Sequence, residues 1–142
     1  MKKAIGLDLG TSTLGIAVSD VLGIAHPREN FRFPEGAYKR ALAKVMETVE
    51  REGTFDIALG YPLNMDGTSG ESAQRSERFK NELLQMDSRL SITLIDERLT
   101  TVMASKAMTF GSFNTRKQKK VIDQQSAVLI LESYLSQKER EQ

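Results

Sequence analysis

Residues 3–9, KAIGLDL, form a short apolar run of β type that stops at the turn-forming cluster Gly10-Thr11-Ser12-Thr13. A second apolar run, LGIAVS at 14–19, follows so closely that the two read as a hairpin, and an extended segment from about Pro27 to Phe33 completes an antiparallel meander. From Tyr38 the period changes: Tyr38, Ala41, Leu42, Val45, Met46 and Val49 fall on one face of a helix that ends near Gly53. FDIALGY at 55–61 reads as a buried strand bounded by Gly53 and Pro62. The loop PLNMDGTSG at 62–70 is rich in turn formers, and Thr68 or Ser69 is placed to cap the next helix, whose apolar side carries Ala73, Ser76, Phe79, Leu83 and Met86. SITLID at 91–96 is a β-branched strand. A helix from about Thr100 to Met108, a polar loop from Gly111 to Thr115 and a last helix from about Lys119 to Ser136, with AVLIL at 127–131, complete the pattern.

The order β-β-β-α-β-α-β-α-α predicts an α/β domain in which three antiparallel strands precede alternating strands and helices, giving an open mixed β-sheet covered by helices, with any site at the strand ends. Residues 1–136 are expected to form this single domain and residues 137–142, QKEREQ, a frayed tail. At 142 residues the chain is long enough to bury one core.

Composition narrows the chemistry. With 39% hydrophobic and 27% charged residues the chain is of ordinary globular type, and it has no cysteine, which excludes disulfides, thiolate metal sites and cysteine nucleophiles. His26 is the only histidine. Catalysis must therefore rest on carboxylates, hydroxyls, Lys or Arg. Neither a signal-peptide core nor a run of about 20 apolar residues is present, so a cytoplasmic protein without a membrane segment is expected. Twenty Lys and Arg against nineteen Asp and Glu give a net charge of +1, which argues against a polyanion partner only if the charges are evenly spread.

They are not. Asp8 interrupts an apolar strand, Glu97 closes SITLID, and Asp123 lies near the start of the last helix. Singly, each is most simply a solvated charge or a helix-start carboxylate. Together they suggest a cluster, which repels itself unless a cation neutralises it. Oxygen donors without His or Cys favour Mg²⁺ or Mn²⁺, and two such ions roughly 4 Å apart can grip a phosphodiester, activate water and stabilise the leaving oxygen without any histidine. Arg116, Lys117, Lys119 and Lys120 place four cations within five residues just before Asp123, where the helix dipole disfavours them, so they ask for a phosphate; Arg98 adjoins Glu97. Asn64 and Thr68, in the loop before the second long helix, suit a phosphate or an ordinary turn. His26 suits a general base or, more simply, a structural strand residue. The six dispersed methionines read as core filler or surface rather than as a cofactor site.

GLDLGTSTLGIAVSD at 6–20, GYPLNMDGTSGESAQRSERF at 60–79, DERLTTVMA at 96–104 and IDQQSAVLILESYL at 122–135 together resemble the YqgF or RuvX-like family of small bacterial proteins, known as Holliday junction resolvases or pre-16S rRNA nucleases. The resemblance spans nearly the whole chain, with four motifs in order and at the right spacing. It implies an RNase H-like fold with a five-stranded mixed sheet, Asp8, Glu97 and Asp123 as the catalytic and metal-binding acids, and phosphodiester cleavage leaving a 5′-phosphate and a 3′-hydroxyl. Related junction resolvases carry a further acid one turn after the helix Asp, where this chain has Ser126, and another at the end of the fourth strand, where it has Gly60-Tyr61-Pro62. These departures favour RNA over a branched DNA junction as substrate, specifically maturation of the 5′ end of ribosomal RNA with pre-ribosomal particles as partner. The protein itself is expected to be a monomer or weak homodimer.

Two other readings compete. GLDLGTSTLG is similar to the first phosphate loop of the actin and sugar-kinase ATPases, which clasp nucleotide between two such domains and carry a further Asp-Gly-Gly loop that this chain lacks. A ribosome-assembly factor that holds RNA without cutting it would use the same acids and cations.

Overall fold

A computed structural model describes residues 3–99 and 116–141, with side chains for 3–98 and 125–141. The expected helix at 100–108 and loop at 111–115 lie outside the described residues. The elements are β1 (Ile5–Leu9), β2 (Thr13–Ser19), β3 (Ala25–Arg32), α1 (Tyr38–Glu52), β4 (Asp56–Tyr61), α2 (Glu71–Met86), β5 (Ser91–Asp96), a 3₁₀ turn at Glu97–Leu99, and α3 (Arg116–Arg140).

The strands form one mixed sheet in the order β3-β2-β1-β4-β5. β1 is antiparallel to β2 and parallel to β4, and β4 is parallel to β5. The antiparallel meander and the alternating half are thus as the sequence pattern predicts. Pro27 is accommodated because β3 is an edge strand, and the β2–β3 register shifts at Ile16/Ala17, beside it.

Strand alternation sends two sets of side chains to opposite faces. Ile5, Leu7, Leu9, Leu14, Ile16, Val18, Ile57 and Leu59 pack with Leu42, Val45 and Val49 of α1 and Phe79 and Leu83 of α2. The other face is built of small residues, Ala4, Ala17 and Ala58, which let Ala127, Ile130 and Leu131 of α3 approach. The approach is closest at Gly6, where a Cβ would stand 2.6 Å from the Ala127 carbonyl oxygen. α1 ends as the sequence suggests, with Gly53 left-handed at φ 67°.

Three local expectations are corrected. Gly70, not Thr68 or Ser69, is the N-cap of α2, and no side chain caps it. The Thr68 hydroxyl is already used, donating to Asp66 Oδ1 at 2.6 Å and accepting from Asn64 Nδ2 at 2.9 Å. Met86, expected on the apolar side of α2, is exposed at the helix end. The last helix starts at Arg116 and runs to Arg140, so 137–140 are helical rather than frayed. Lys138 and Arg140 in its last turn complement the dipole, and the Lys138 ammonium lies 5.7 Å from the Tyr134 ring centroid.

Candidate nuclease site

Asp8 shares the face of Ala4 and Gly6 by alternation, which is the face that α3 covers. A carboxylate in a central strand is costly to bury, and here it is only 7% exposed. β1 and β4 pair at Gly6↔Ala58 and Leu7↔Leu59, so the next step of the register sets Asp8 beside Gly60. Gly60 in turn pairs with Ile95 and Tyr61 with Asp96, which brings Glu97 to the same end of the sheet. The Glu97 side chain lies over β4: a Cβ on Gly60 would stand 3.4 Å from its carboxyl carbon, and Glu97 is only 1% exposed. The strands that carry the two acids are about 10 Å apart, with Gly60 as the floor between them.

The direction of α3 follows from its contacts. Ile130 Cδ1 lies over Gly60 at the end of β4, and the charge of Asp56 at the start of β4 reaches Tyr134. α3 therefore runs antiparallel to β4 and β1, and its N-terminal part lies toward the Asp8 and Glu97 end. Asp123 is one turn before Ala127, the residue seated on Gly6, and on the same stripe of the helix. The sheet thus carries Asp8 and Glu97 to the carboxyl ends of β1 and β5, while the Asp123 side chain lies outside the described residues. Among the described residues no group of three His, Cys, Asp or Glu is gathered tightly enough to hold a metal.

The donor chemistry of the described pair fits a hard divalent cation: two nearly buried carboxylates, Glu97 over Gly60 and Asp8 on the neighbouring strand, with the only histidine, His26, at the far end of β1. Two further polar side chains are buried on this side, Asn30, which the sequence reading missed, and Ser126. Asn30 opposes Gly15, which opposes Asp8, so Asn30 and Asp8 lie in one row with a glycine between them. Ser126, at the position where related resolvases carry a further acid, is 1% exposed. Neither the Asn30 amide nor the Ser126 hydroxyl has a hydrogen-bond partner among the described residues. The sequence signal for this surface was the small residue at every second position of β1, Ala4 and Gly6, leading to Asp8.

The cations divide. Arg98 chelates Asp96, with Nη2 to Oδ2 at 2.8 Å and Nε to Oδ1 at 3.1 Å, and Nη1 donates to the Met65 carbonyl at 3.4 Å. This contact, together with the Asp66 charge nearby, pins the 62–70 loop against the end of β5. Hydrogen bonding from Arg98 holds the Asp96 carboxyl below its ordinary value and raises the guanidinium in return. Asn64 and Thr68 are bonded to each other within the same loop. Arg116, Lys117, Lys119 and Lys120 fall in the opening turns of α3, whose first turn has no acidic residue; their side chains lie outside the described residues. His26 is elsewhere: it pairs across the sheet with Val18, and Val18 with Ile5, at the opposite end of β1 from Asp8. Its Nε2 lies 2.7 Å from Asp20 Oδ2, and that bond, with backbone amides of Ile24 and Leu22, holds the Asp20 carboxyl below its ordinary value. His26 is a hairpin residue.

The profile of a family described as "RuvX: Holliday junction resolvase" matches residues 2–137. Relatives from Geobacillus sp. WCH70 and Bacillus pumilus SAFR-032, provisionally named as pre-16S rRNA nucleases, are each 40% identical; they align over 96% and 94% of this chain and 99% and 96% of their own lengths. Among solved structures, Thermus thermophilus RuvC in complex with a Holliday junction substrate superposes with a TM-score of 0.61 at 15% identity, covering 99% of this chain and 97% of RuvC. That likeness identifies the five-stranded sheet and its helices as RNase H-like. The family match over nearly the full length, with relatives 40% identical over almost the whole chain, places this chain in the RuvX family.

Proposed function

We propose that the chain is a metal-dependent nuclease that hydrolyses phosphodiester bonds in RNA, in the 5′-end maturation of the 16S ribosomal RNA precursor in the cytoplasm. The observation that carries this reading is the pair Asp8 and Glu97, two nearly buried carboxylates, one on β1 and one in the turn that follows β5, at the same end of the sheet. Two carboxylates brought to one end of the sheet repel each other, and a hard divalent cation between them offsets that repulsion. Asp8, Glu97 and, from α3, Asp123 would hold Mg²⁺ or Mn²⁺. The bound metal would supply a nucleophilic water and offset charge on the leaving oxygen, in the manner of a two-metal phosphodiesterase. The chain's own part is to fix the two strand carboxylates on a rigid sheet, to exclude bulk water from their inner side, and to hold the substrate backbone. For the last, the cations at the start of α3 extend up to about 16 Å beyond Ala127, past the acidic end of the sheet. Arg98, Asn64 and Thr68 shape the opposite wall.

The names of the RuvX relatives support an rRNA substrate. Gly60 and Ser126 support it too, since they leave the site with fewer acids than the resemblance assigns to junction resolvases. The test compares wild type, Asp8→Asn, Glu97→Gln and Asp123→Asn on precursor rRNA and on a four-way DNA junction, with Mn²⁺ and with chelator. Metal-dependent RNA cleavage lost in all three variants is expected. RNA binding without cleavage in wild type would replace the reading with a non-catalytic assembly factor, and cleavage confined to the junction would make the chain a DNA resolvase.

A further inference from the structure

A second cationic feature lies on the other face of the sheet. Lys39 at the start of α1 and Arg75 and Arg78 in the first half of α2 line one half-open cavity of about 220 Å³, floored by the buried ring of Phe79. On α1, Lys44 is engaged with Glu29 at 3.0 Å and Arg51 with Glu47 at 3.7 Å. Lys39, Arg75 and Arg78 make no ion pair among the described residues, and Glu82 is the one carboxylate in the lining. Three like charges converging on one pocket repel one another, so the protein alone gives no reason for the arrangement. An anion removes the repulsion. The Tyr38 ring, packed edge-on at 5.9 Å against Phe33, forms a further wall and adds a flat, rigid surface of the kind on which bases stack.

The position of the pocket matters as much as its charge. Gly36, on its rim, donates its backbone N–H to the Thr11 carbonyl at 3.0 Å, and Phe33 donates to Ser12 at 3.0 Å. Thr11 and Ser12 belong to the turn that directly follows the strand carrying Asp8. Three residues of chain and one hydrogen bond therefore separate Asp8 from the rim, a span of at most about 15 Å. That is about four nucleotides of rise along a duplex strand.

We propose that the Lys39, Arg75 and Arg78 pocket binds a backbone phosphate of the nucleic acid, so that a strand engaged at Asp8 and Glu97 crosses the end of the sheet over the 10–13 turn and is held again on the α1 and α2 side. The inference rests on the nucleic-acid reading above. It makes the site two-sided: the cations of α3 flank the acids on one face of the sheet, and this pocket receives the strand on the other.

The test measures binding of labelled single-stranded RNA of about 4 and about 16 nucleotides, a range that brackets a short and a long single-strand footprint, as a function of salt. The proteins are wild type, the triple variant Lys39→Gln/Arg75→Gln/Arg78→Gln, and Arg89→Gln, which removes a cation already paired with Asp87 at 2.9 Å. For the long RNA the triple variant is expected to lower the slope of log K against log salt by about 0.7, as for one neutralised phosphate, with Arg89→Gln unchanged. For the short RNA, whose length only just matches the span from the acids to the rim, the triple variant is expected to change the slope less than for the long RNA. An unaltered slope on the long RNA in a triple variant that melts like wild type overturns the pocket while leaving the nuclease reading intact. Wild type that binds neither RNA overturns both.

Discussion

A Cβ placed on Gly60 would stand 3.4 Å from the carboxyl carbon of Glu97 and 2.6 Å from Ile130 Cδ1, so this glycine sets how closely the acid and the helix approach β4. Gly60→Ala is expected to destabilise the fold by about 1–3 kcal/mol through overpacking, and to lower cleavage further by displacing Glu97. Denaturant unfolding and initial rates separate the two effects. Pairing the change with Ile130→Val is expected to recover part of the stability and little of the activity. Wild-type rates in the single variant would show that the position of Glu97 is not critical.

Gly6 is less forgiving. The atoms that a Cβ would meet there are the Ala127 carbonyl oxygen at 2.6 Å and Leu131 Cβ at 2.7 Å, which move only with the helix. Gly6→Ala is expected to cost more stability than Gly60→Ala, and hydrogen exchange should show the loss concentrated in α3. A smaller cost at Gly6 would mean that α3 is not rigidly seated on β1.

The Asp96–Arg98 pair sets a pH window. Asp96 has its carboxyl lowered in the folded protein, chiefly by hydrogen bonding from Arg98, relative to an ordinary value of 3.8. Its contribution is therefore fully present above pH 3.8 and is lost as pH falls through the lower folded value. Asp96→Asn is expected to destabilise by no more than about 1 kcal/mol at neutral pH, because the pair is partly exposed, with the difference from wild type closing in acid. Arg98→Ala should in addition release the 62–70 loop, read as faster proteolysis there. A difference between Asp96→Asn and wild type that grows in acid would contradict the assignment.

For the start of α3, replacing Lys119 and Lys120 by Gln is expected to weaken RNA binding and lower its salt slope by about 1.4, from two released counterions on single-stranded RNA. An unchanged slope would remove both lysines from the interface.

Most of the fold was legible because each element carries its own period. β1 and β2 alternate, α1 repeats its apolar positions at helical spacing, and Gly53 marks the stop. Boundaries failed where local signals competed with partners elsewhere in space. Thr68 looks like a cap but is held by Asp66 and Asn64, and the charged end of α3 looks like a tail but continues the helix. Of the candidate site, Asp8 and Glu97 stood out as acids at strand ends, and the sheet order does bring their strands to either side of β4. What the sequence could not display was the negative space: Gly6 and Gly60 matter through atoms they lack, visible only once the neighbours are known. The Lys39, Arg75 and Arg78 pocket was hidden likewise, since its residues come from two helices separated by a strand.

The glycine seat of α3 also fixes how this chain can change length. Because Ala127 is held against Gly6, deleting one residue between Asp123 and Ala127 would swing position 123 about 100° round the helix axis and off the stripe that Ala127 seats on Gly6. Insertions or deletions are thus forbidden in that one turn by angle alone, whatever residues they bring, so the helix behaves as a gauge whose zero mark is a glycine on another element.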